Sequence, residues 1–203
     1  MRLILLRHGQ TQWNRENRIH GWGNSDLTPS AIRQLKQWIP PTLRNPIVYA
    51  SDLGRAKQTA SIIAEKIGTE FTLDARLRER QFGVLQGRVI DQDRPLAKAW
   101  HLYHHRYLSK TGQQFGFECE WDFERRIGDF FSDLNKSFAH LNDNTARADI
   151  VIISHGEWIR AAINLLQGRP SWHEGQGITS NKRVNWLSVN YDVSHSLHSN
   201  SRC

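Results

Sequence analysis

The hydrophobic positions of this chain fall into short solid runs and longer spaced stripes, and the two alternate. Leu3-Ile4-Leu5-Leu6 is an unbroken apolar run that ends abruptly at Arg7-His8-Gly9. Ile47-Val48-Tyr49-Ala50 and Phe71-Thr72-Leu73 are further runs of this kind. Asp149-Ile150-Val151-Ile152-Ile153 is the strongest, and it leads straight into Ser154-His155-Gly156. Runs of this length bounded by turn residues predict strands, the first and the last of these buried on both faces as in a parallel sheet. Val184 to Tyr191 alternates and predicts a final strand.

The stripes predict helices. Thr28 is placed to cap and Pro29 to open a helix that runs through Trp38 and stops before Pro40-Pro41. Ala60, Ile63, Ala64 and Ile67 share one face of a helix expected from Ala56 to Ile67 and ended by Gly68, with Ser51 or Asp52 as its cap. Further helices are expected from Ala97 to Leu108, from Trp121 to Leu141 and from Glu157 to Leu166. Phe123, Ile127, Phe130, Phe131 and Leu134 form the core stripe of the second of these. Asn14 to Asp26 and Leu77 to Gly87 read as loops, 142–148 as a turn and 88–116 as an insertion. Strands alternating with helices predict an α/β fold around a parallel sheet. The expected organisation is one domain over 1–191, with 88–116 as a small helical cap and 192–203 as a polar tail.

Two buried strands each end in His-Gly, at His8-Gly9 and at His155-Gly156. The carboxyl ends of strands in such sheets are where ligands bind. Arg7 adjoins one of these histidines, and Arg55 stands near a helix N-terminus, where a cation is disfavoured unless an anion is bound there too. A neutral imidazole can attack phosphorus, and guanidinium groups can hold phosphate oxygens. Strands adjacent in the sheet would bring these groups together in one anion-binding pocket.

Composition narrows the partners. The chain has 203 residues, 38% of them apolar and 23% charged, which is a globular balance. A formal charge of +7 and a pI of about 9.8 favour anionic partners. The basic residues are scattered, so no nucleic acid is expected. Cys119 and Cys203 make no disulfide framework, and a reduced compartment is the simplest reading. His101 and His105 have the i,i+4 spacing of metal ligands but no Glu between them in the HExxH manner, so no metal is expected. The four-residue apolar start is too short for a signal-peptide core, and no run reaches transmembrane length. The expectation is a soluble cytoplasmic protein with no membrane partner. The oligomeric state is left open, a homodimer among the expectations.

Four motifs then converge. Arg7-His8-Gly9-Gln10-Thr11 with Asn14 resembles the RHG signature of the histidine phosphatase superfamily, which includes the phosphoglycerate mutases. Ser51-Asp52-Leu53-Gly54-Arg55-Ala56-Lys57-Gln58-Thr59 is similar to its second motif, Leu77-Arg78-Glu79 with Phe82-Gly83 and Gly87 to its acid loop, and Ser154-His155-Gly156 to its last motif. They occur in family order and span nearly the whole chain. The resemblance implies a three-layer α/β/α, phosphoglycerate mutase-like fold. It implies His8 as nucleophile through a phosphohistidine, Glu79 as proton donor, and Arg7, Arg55 and His155 as phosphoryl ligands. Asn14, Gly21 and Gly156 complete the phosphate- and substrate-binding set. It further implies no cofactor, no metal, and a small phosphorylated metabolite as substrate.

The superfamily divides into hydrolases and mutases. Glu79 to Gly87 is similar to the mutase loop, but Arg88-Val89-Ile90-Asp91 departs from the mutase pattern, and the chain is short for that group. Phe117-Glu118-Cys119 stands where many members carry G-E-S or G-E-T. The expected activity is that of a metal-independent histidine acid-type phosphatase. The alternatives are mutase-type phosphoryl transfer and a catalytically weak phosphate-ligand binder.

Overall fold

The computed structural model describes residues 1–107, 113–138, 148–173, 181, 184 and 186–191. Five strands form one sheet: β1 (Arg2–Arg7), β2 (Ile47–Ala50), β3 (Phe71–Leu73), β4 (Asp149–Ser154) and β5 (Trp186–Asn190), in the order β3-β2-β4-β1-β5. All neighbours are parallel except β5, which runs antiparallel to β1. The alternating stretch expected from Val184 to Tyr191 is thus an edge strand, paired with β1 along Trp186–Asn190.

The α-helices among the described residues are α1 (Gln12–Arg15), α2 (Pro29–Gln37), α3 (Gly54–Ile67), α4 (Ala97–His104), α5 (Glu120–Phe138) and α6 (Gly156–Leu166). Successive side chains of a strand point to opposite faces, and the core divides accordingly. Leu3, Leu5, Ile150 and Ile152 pack with α5 and α6 around Phe123, Phe131 and Trp158. Ile4, Leu6, Val151 and Ile153 pack with α2 and α3 around Leu35, Ala60 and Ile63. The sheet is therefore the middle of three layers, and β4, buried at every position, is its centre.

Several boundaries differ from expectation. Residues 12–15, expected in a loop, form one helical turn because Thr11 and Asn14 make a reciprocal capping box. Neither Ser51 nor Asp52 caps α3. The Ser51 hydroxyl lies 2.9 Å from His155 Nε2, and Asp52 pairs with Arg78 at 2.5 Å. Asn24 Oδ1 instead accepts from the Arg55 N–H at 3.0 Å, a cap supplied from a distant loop. The α4 helix ends at His104, and the expected end at Leu108 lies outside the described residues, as do the expected end of α5 at Leu141, most of the 142–148 turn and the 192–203 tail. Cys119 is buried and is not a free thiol. No helix among the described residues is long and apolar enough to cross a membrane.

Of the expected 88–116 insertion, the described residues 88–107 and 113–116 include α4, which packs on the loops that carry Ile19, Phe82 and Leu85. Ala99 and Trp100 of α4 pack with Ile19, Phe82, Leu85 and Phe117 in a core of their own. Gly83 joins these pieces. Its φ is +43°, and a Cβ built there would lie 2.0 Å from the Phe115 carbonyl oxygen. Alanine at this position is expected to lower stability by roughly 2–4 kcal/mol, from the left-handed backbone and the overlap together. A denaturant midpoint unchanged from wild type would refute this.

Candidate active site

Strand register brings the two His-Gly motifs together. Arg7 pairs with Ser154 at the ends of β1 and β4, and the His8 N–H donates to the Ser154 carbonyl at 2.9 Å. The next residue on each strand is a histidine, and the His8 and His155 rings lie 5.2 Å apart. Thr59 of α3 fixes the loop that follows. Its hydroxyl accepts from the Gly9 N–H at 3.0 Å and donates to the Arg55 carbonyl at 2.8 Å.

The hydrogen bonds of His8 decide its tautomer. Nδ1 lies 2.8 Å from the Gly9 carbonyl, which can only accept, so Nδ1 carries the proton. Arg55 Nε–H points at Nε2 from 3.3 Å, which requires a lone pair there. Burial, followed by the charges of Arg55 and Arg7, holds the His8 imidazole neutral far below its usual range. The result is a neutral imidazole with its Nε2 lone pair turned toward the guanidinium that anions would seek.

Arg55 is fully buried. Besides His8 it donates to the Gly23 carbonyl at 2.7 Å and to the Gly21 carbonyl at 2.8 Å. Desolvation brings it down to about 10. Gly21 thus has a task distinct from ligand contact, since its carbonyl orients Arg55. Its φ of +50° is left-handed, and Gln86 Oε1 occupies the space a Cβ would take, at 2.1 Å. Arg7 lines the same cavity, lowered by burial against the pull of Glu79 and Glu157.

Glu79 stands between Arg78 and Arg80 in sequence yet pairs with neither side chain. Arg78 binds Asp52 at 2.5 Å, and Arg80 binds buried Glu120 at 2.5 Å. The Glu79 carboxyl is buried and accepts from the Arg80 N–H at 2.9 Å and, at 3.4 Å, from the Glu157 N–H. Its loop is clamped from α5. Arg126 donates to the carbonyls of Arg76, Arg78 and Glu79 at 2.7, 2.6 and 3.0 Å while paired with Glu118. Glu118 also accepts from the Gln81 N–H at 3.2 Å, so this residue of the departed G-E-S position braces the acid loop. Burial first, then the neighbouring Glu157, raises Glu79, and these outweigh Arg55, the Arg80 N–H and Arg7. The arginines alone would have predicted the opposite direction.

The cavity holds about 220 Å³ and is lined by Arg7, His8, Asn14, Gly21, Arg55, Glu79 and Gly156 among others. Asn14 Oδ1 is committed to the Thr11 N–H at 3.1 Å and Asn181 Nδ2 at 2.5 Å, which leaves its amide NH2 for a ligand. His155 lies behind His8, fully buried and not on the cavity wall, held neutral by burial and then by Arg55. Its Nδ1 has no partner among the described residues. Of the tryptophans near the motifs, Trp158 is core, Trp13 packs on His20 at 5.4 Å, and Trp22 is part-exposed outside this cavity.

Sequence reasoning gave no catalytic or phosphate-binding role to four of the lining groups. His20 sits 6.1 Å from His8, accepts the Thr11 hydroxyl at 2.7 Å, and is driven down to about 3 by burial and then Arg55. Glu157, Tyr103 and Arg106 form the wall toward the 88–116 segment. Only His20 left a signal, as a histidine directly before Gly21. The other three depend on how that segment folds back. His101 and His105 stack on one another 4.0 Å apart, and His104 meets Asp91 at 2.8 Å. No group of three or more His, Cys, Asp or Glu residues suited to a metal exists among the described residues.

The model of the histidine phosphatase superfamily (branch 1) matches residues 3–201. The chain belongs to that superfamily. Among curated relatives it is 32% identical over 180 residues to the protein named "Probable phosphoglycerate mutase GpmB" of Salmonella paratyphi A, covering 86% of this chain and 78% of the relative. The Citrobacter koseri protein of the same name is 32% identical over 176 residues, with the same coverage. Among solved structures, a mycobacterial glucosyl-3-phosphoglycerate phosphatase is 27% identical, with a TM-score of 0.72 and coverage of 92% of this chain and 88% of the other. A mycobacterial hydrolase is 26% identical, with a TM-score of 0.71 and coverage of 92% and 89%. This member of the superfamily shares a mostly parallel α/β/α fold with those structures, and the general activity of its superfamily is phosphoryl chemistry.

Proposed function

We propose that this chain is a phosphomonoester hydrolase acting on a small phosphorylated metabolite through a phosphohistidine on His8. The observation that carries the reading is His8 itself: a buried imidazole, proton fixed on Nδ1 and lone pair on Nε2, flanked by Arg7 and Arg55. In the first step Nε2 attacks phosphorus and the ester P–O bond breaks. Glu79, raised by its surroundings, gives its proton to the leaving oxygen. In the second step water attacks phosphorus, Glu79 takes its proton, and the P–N bond breaks to return neutral His8. Arg7, Arg55 and the Asn14 amide hold the phosphoryl oxygens, and charge neutralisation by such donors is most of what this chemistry needs.

Ile90, Tyr103 and Arg106, all within 88–107, wall the cavity, and this part of the chain caps the site and sets specificity. The relatives named as phosphoglycerate mutases favour a second reading, in which the phosphoryl group returns to a reoriented substrate. The phosphatase named among the structural neighbours and the departure after Gly87 favour water. A panel of phosphorylated metabolites scored for phosphate release and for isomerised product, with and without EDTA, separates them. Phosphate release that survives EDTA is expected. Isomerisation without release would replace hydrolase by mutase, and no turnover of any monoester would favour a binder. Glu79→Gln is expected to slow phenyl phosphate, a poor leaving group, by roughly 10²–10⁴-fold. Near-normal turnover would remove Glu79 from the donor role.

A further inference from the structure

The cavity contains two buried carboxylates with unequal company. Glu157, in the first turn of α6, accepts from Arg106 Nε at 3.2 Å, Arg106 Nη2 at 3.0 Å and the Tyr107 hydroxyl. Arg106 is held in turn by the Tyr103 carbonyl at 2.5 Å, and its guanidinium lies over the Tyr103 and Tyr107 rings at 3.8 and 4.1 Å. Glu79 has two backbone N–H donors and no side-chain donor among the described residues. One of those N–H groups belongs to Glu157, so the two carboxylates lie one residue's reach apart.

We infer that Glu157 is a positioning residue that keeps the proton on Glu79, and that Arg106 and Tyr107 hold Glu157 charged so that it can do so. The inference rests on Glu79 being the proton donor of the reaction proposed above. Two buried carboxylates in one cavity titrate as a pair, and the one without a hydrogen-bonded cation takes the proton. Arg106 first, then Tyr107 and Arg80, hold Glu157 below the ordinary carboxylate range despite burial. The charges facing the pair come from every side. Arg7 at the end of β1 and Arg55 of α3 favour ionised Glu79. Arg80 faces Glu157 but is tied to Glu120 of α5. Tyr103 of α4 is itself raised by burial, and Arg160 of α6 lies over the Tyr107 ring at 4.1 Å. His8 and His20 are held neutral and add no charge. Fixed negative charge on Glu157 therefore adds to burial in opposing Arg55 and Arg7 at Glu79.

The test reads the first half-reaction alone, as burst release of phenol from phenyl phosphate across pH. The alkaline limb of that rate marks loss of the donor proton. Glu157→Gln is expected to move the limb down by roughly one to two pH units, the size of a like-charge effect at close range. Arg106→Gln is expected to move it up, because the pair loses its cation. With 4-nitrophenyl phosphate, whose leaving group needs little protonation, neither variant should move the burst profile, whereas a merely structural defect would alter both substrates. A limb that Glu79→Gln leaves in place overturns the donor assignment and this inference with it. A limb that Glu79→Gln removes but Glu157→Gln does not lower overturns the inference alone. If Glu157→Gln fails to fold, Arg106→Gln decides: an unmoved or lowered limb overturns the inference.

Discussion

Replacing His8 with alanine is expected to lower turnover of every phosphomonoester by at least about 10⁴-fold, the order seen when a nucleophile is removed from a preorganised site. The same variant should form no acid-labile phosphoenzyme. Two features of the site make the effect large. The lone pair on Nε2 is fixed by the Nδ1 bond to the Gly9 carbonyl, and no other unprotonated side chain on the cavity wall offers a comparable nucleophile, since the His20 ring is engaged with Thr11. Binding should persist, because Arg7 and Arg55 remain and the cavity only widens. The expected signature is thus a collapsed kcat with substrate still bound. Because His8 is held neutral far below its usual range, wild-type enzyme should also form phosphoenzyme with undiminished yield at pH 5, where an ordinary histidine would be protonated. Acid-labile phosphate measured after substrate addition tests both points. Label retained by His8→Ala would sink the nucleophile assignment, and label lost at pH 5 would sink the neutral resting state.

What could be read ahead of the coordinates was whatever strand topology decides. Leu3 to Leu6 and Ile150 to Ile153 are solid apolar runs because both strands are buried on both faces, and their shared termination in His-Gly follows from parallel pairing at one register. That alone places His8, His155 and Arg7 at one edge. What could not be read was pairing between residues far apart in the chain. Ser51 and Asp52 precede α3 in the manner of caps, yet both are drawn off, to His155 and Arg78, and Asn24 caps instead. Glu79 has arginines on either side, and local charge would assign it to them. Asp52 and Glu120 claim those arginines from 26 and 40 residues away, which leaves Glu79 to burial and to Glu157. Glu157 in turn is explicable only through Arg106, 51 residues earlier. The acid–base behaviour of the site is thus set by long-range partners, while the convergence of Arg7, His8 and His155 is set by the sheet.

Arg55→Lys is the other substitution expected to be severe, roughly 10²–10³-fold in kcat/KM, although it nominally keeps the charge. The fork of Arg55 makes three directed bonds at once, to the Gly23 and Gly21 carbonyls and to His8 Nε2. An ammonium on a flexible stem cannot span them, so at least one carbonyl is left buried without a donor, at roughly 1–3 kcal/mol. The charge itself is also at risk. Burial already brings this guanidinium down to about 10. A lysine begins near ~10.4, about two units below arginine, and the same desolvation would take it toward neutrality at working pH. A neutral amine supplies no positive charge for the phosphoryl oxygens and no longer helps hold His8 unprotonated. The sign of the resulting pH dependence follows: activity of the lysine variant should rise as pH falls toward 6, because acid restores the ammonium, where wild type shows no such recovery. Measured kcat/KM from pH 5.5 to 8.5, together with a denaturant midpoint, tests this. A lysine variant with wild-type kcat/KM would show that position 55 needs only a positive charge, and the directed fork at the start of α3 would lose its role in catalysis.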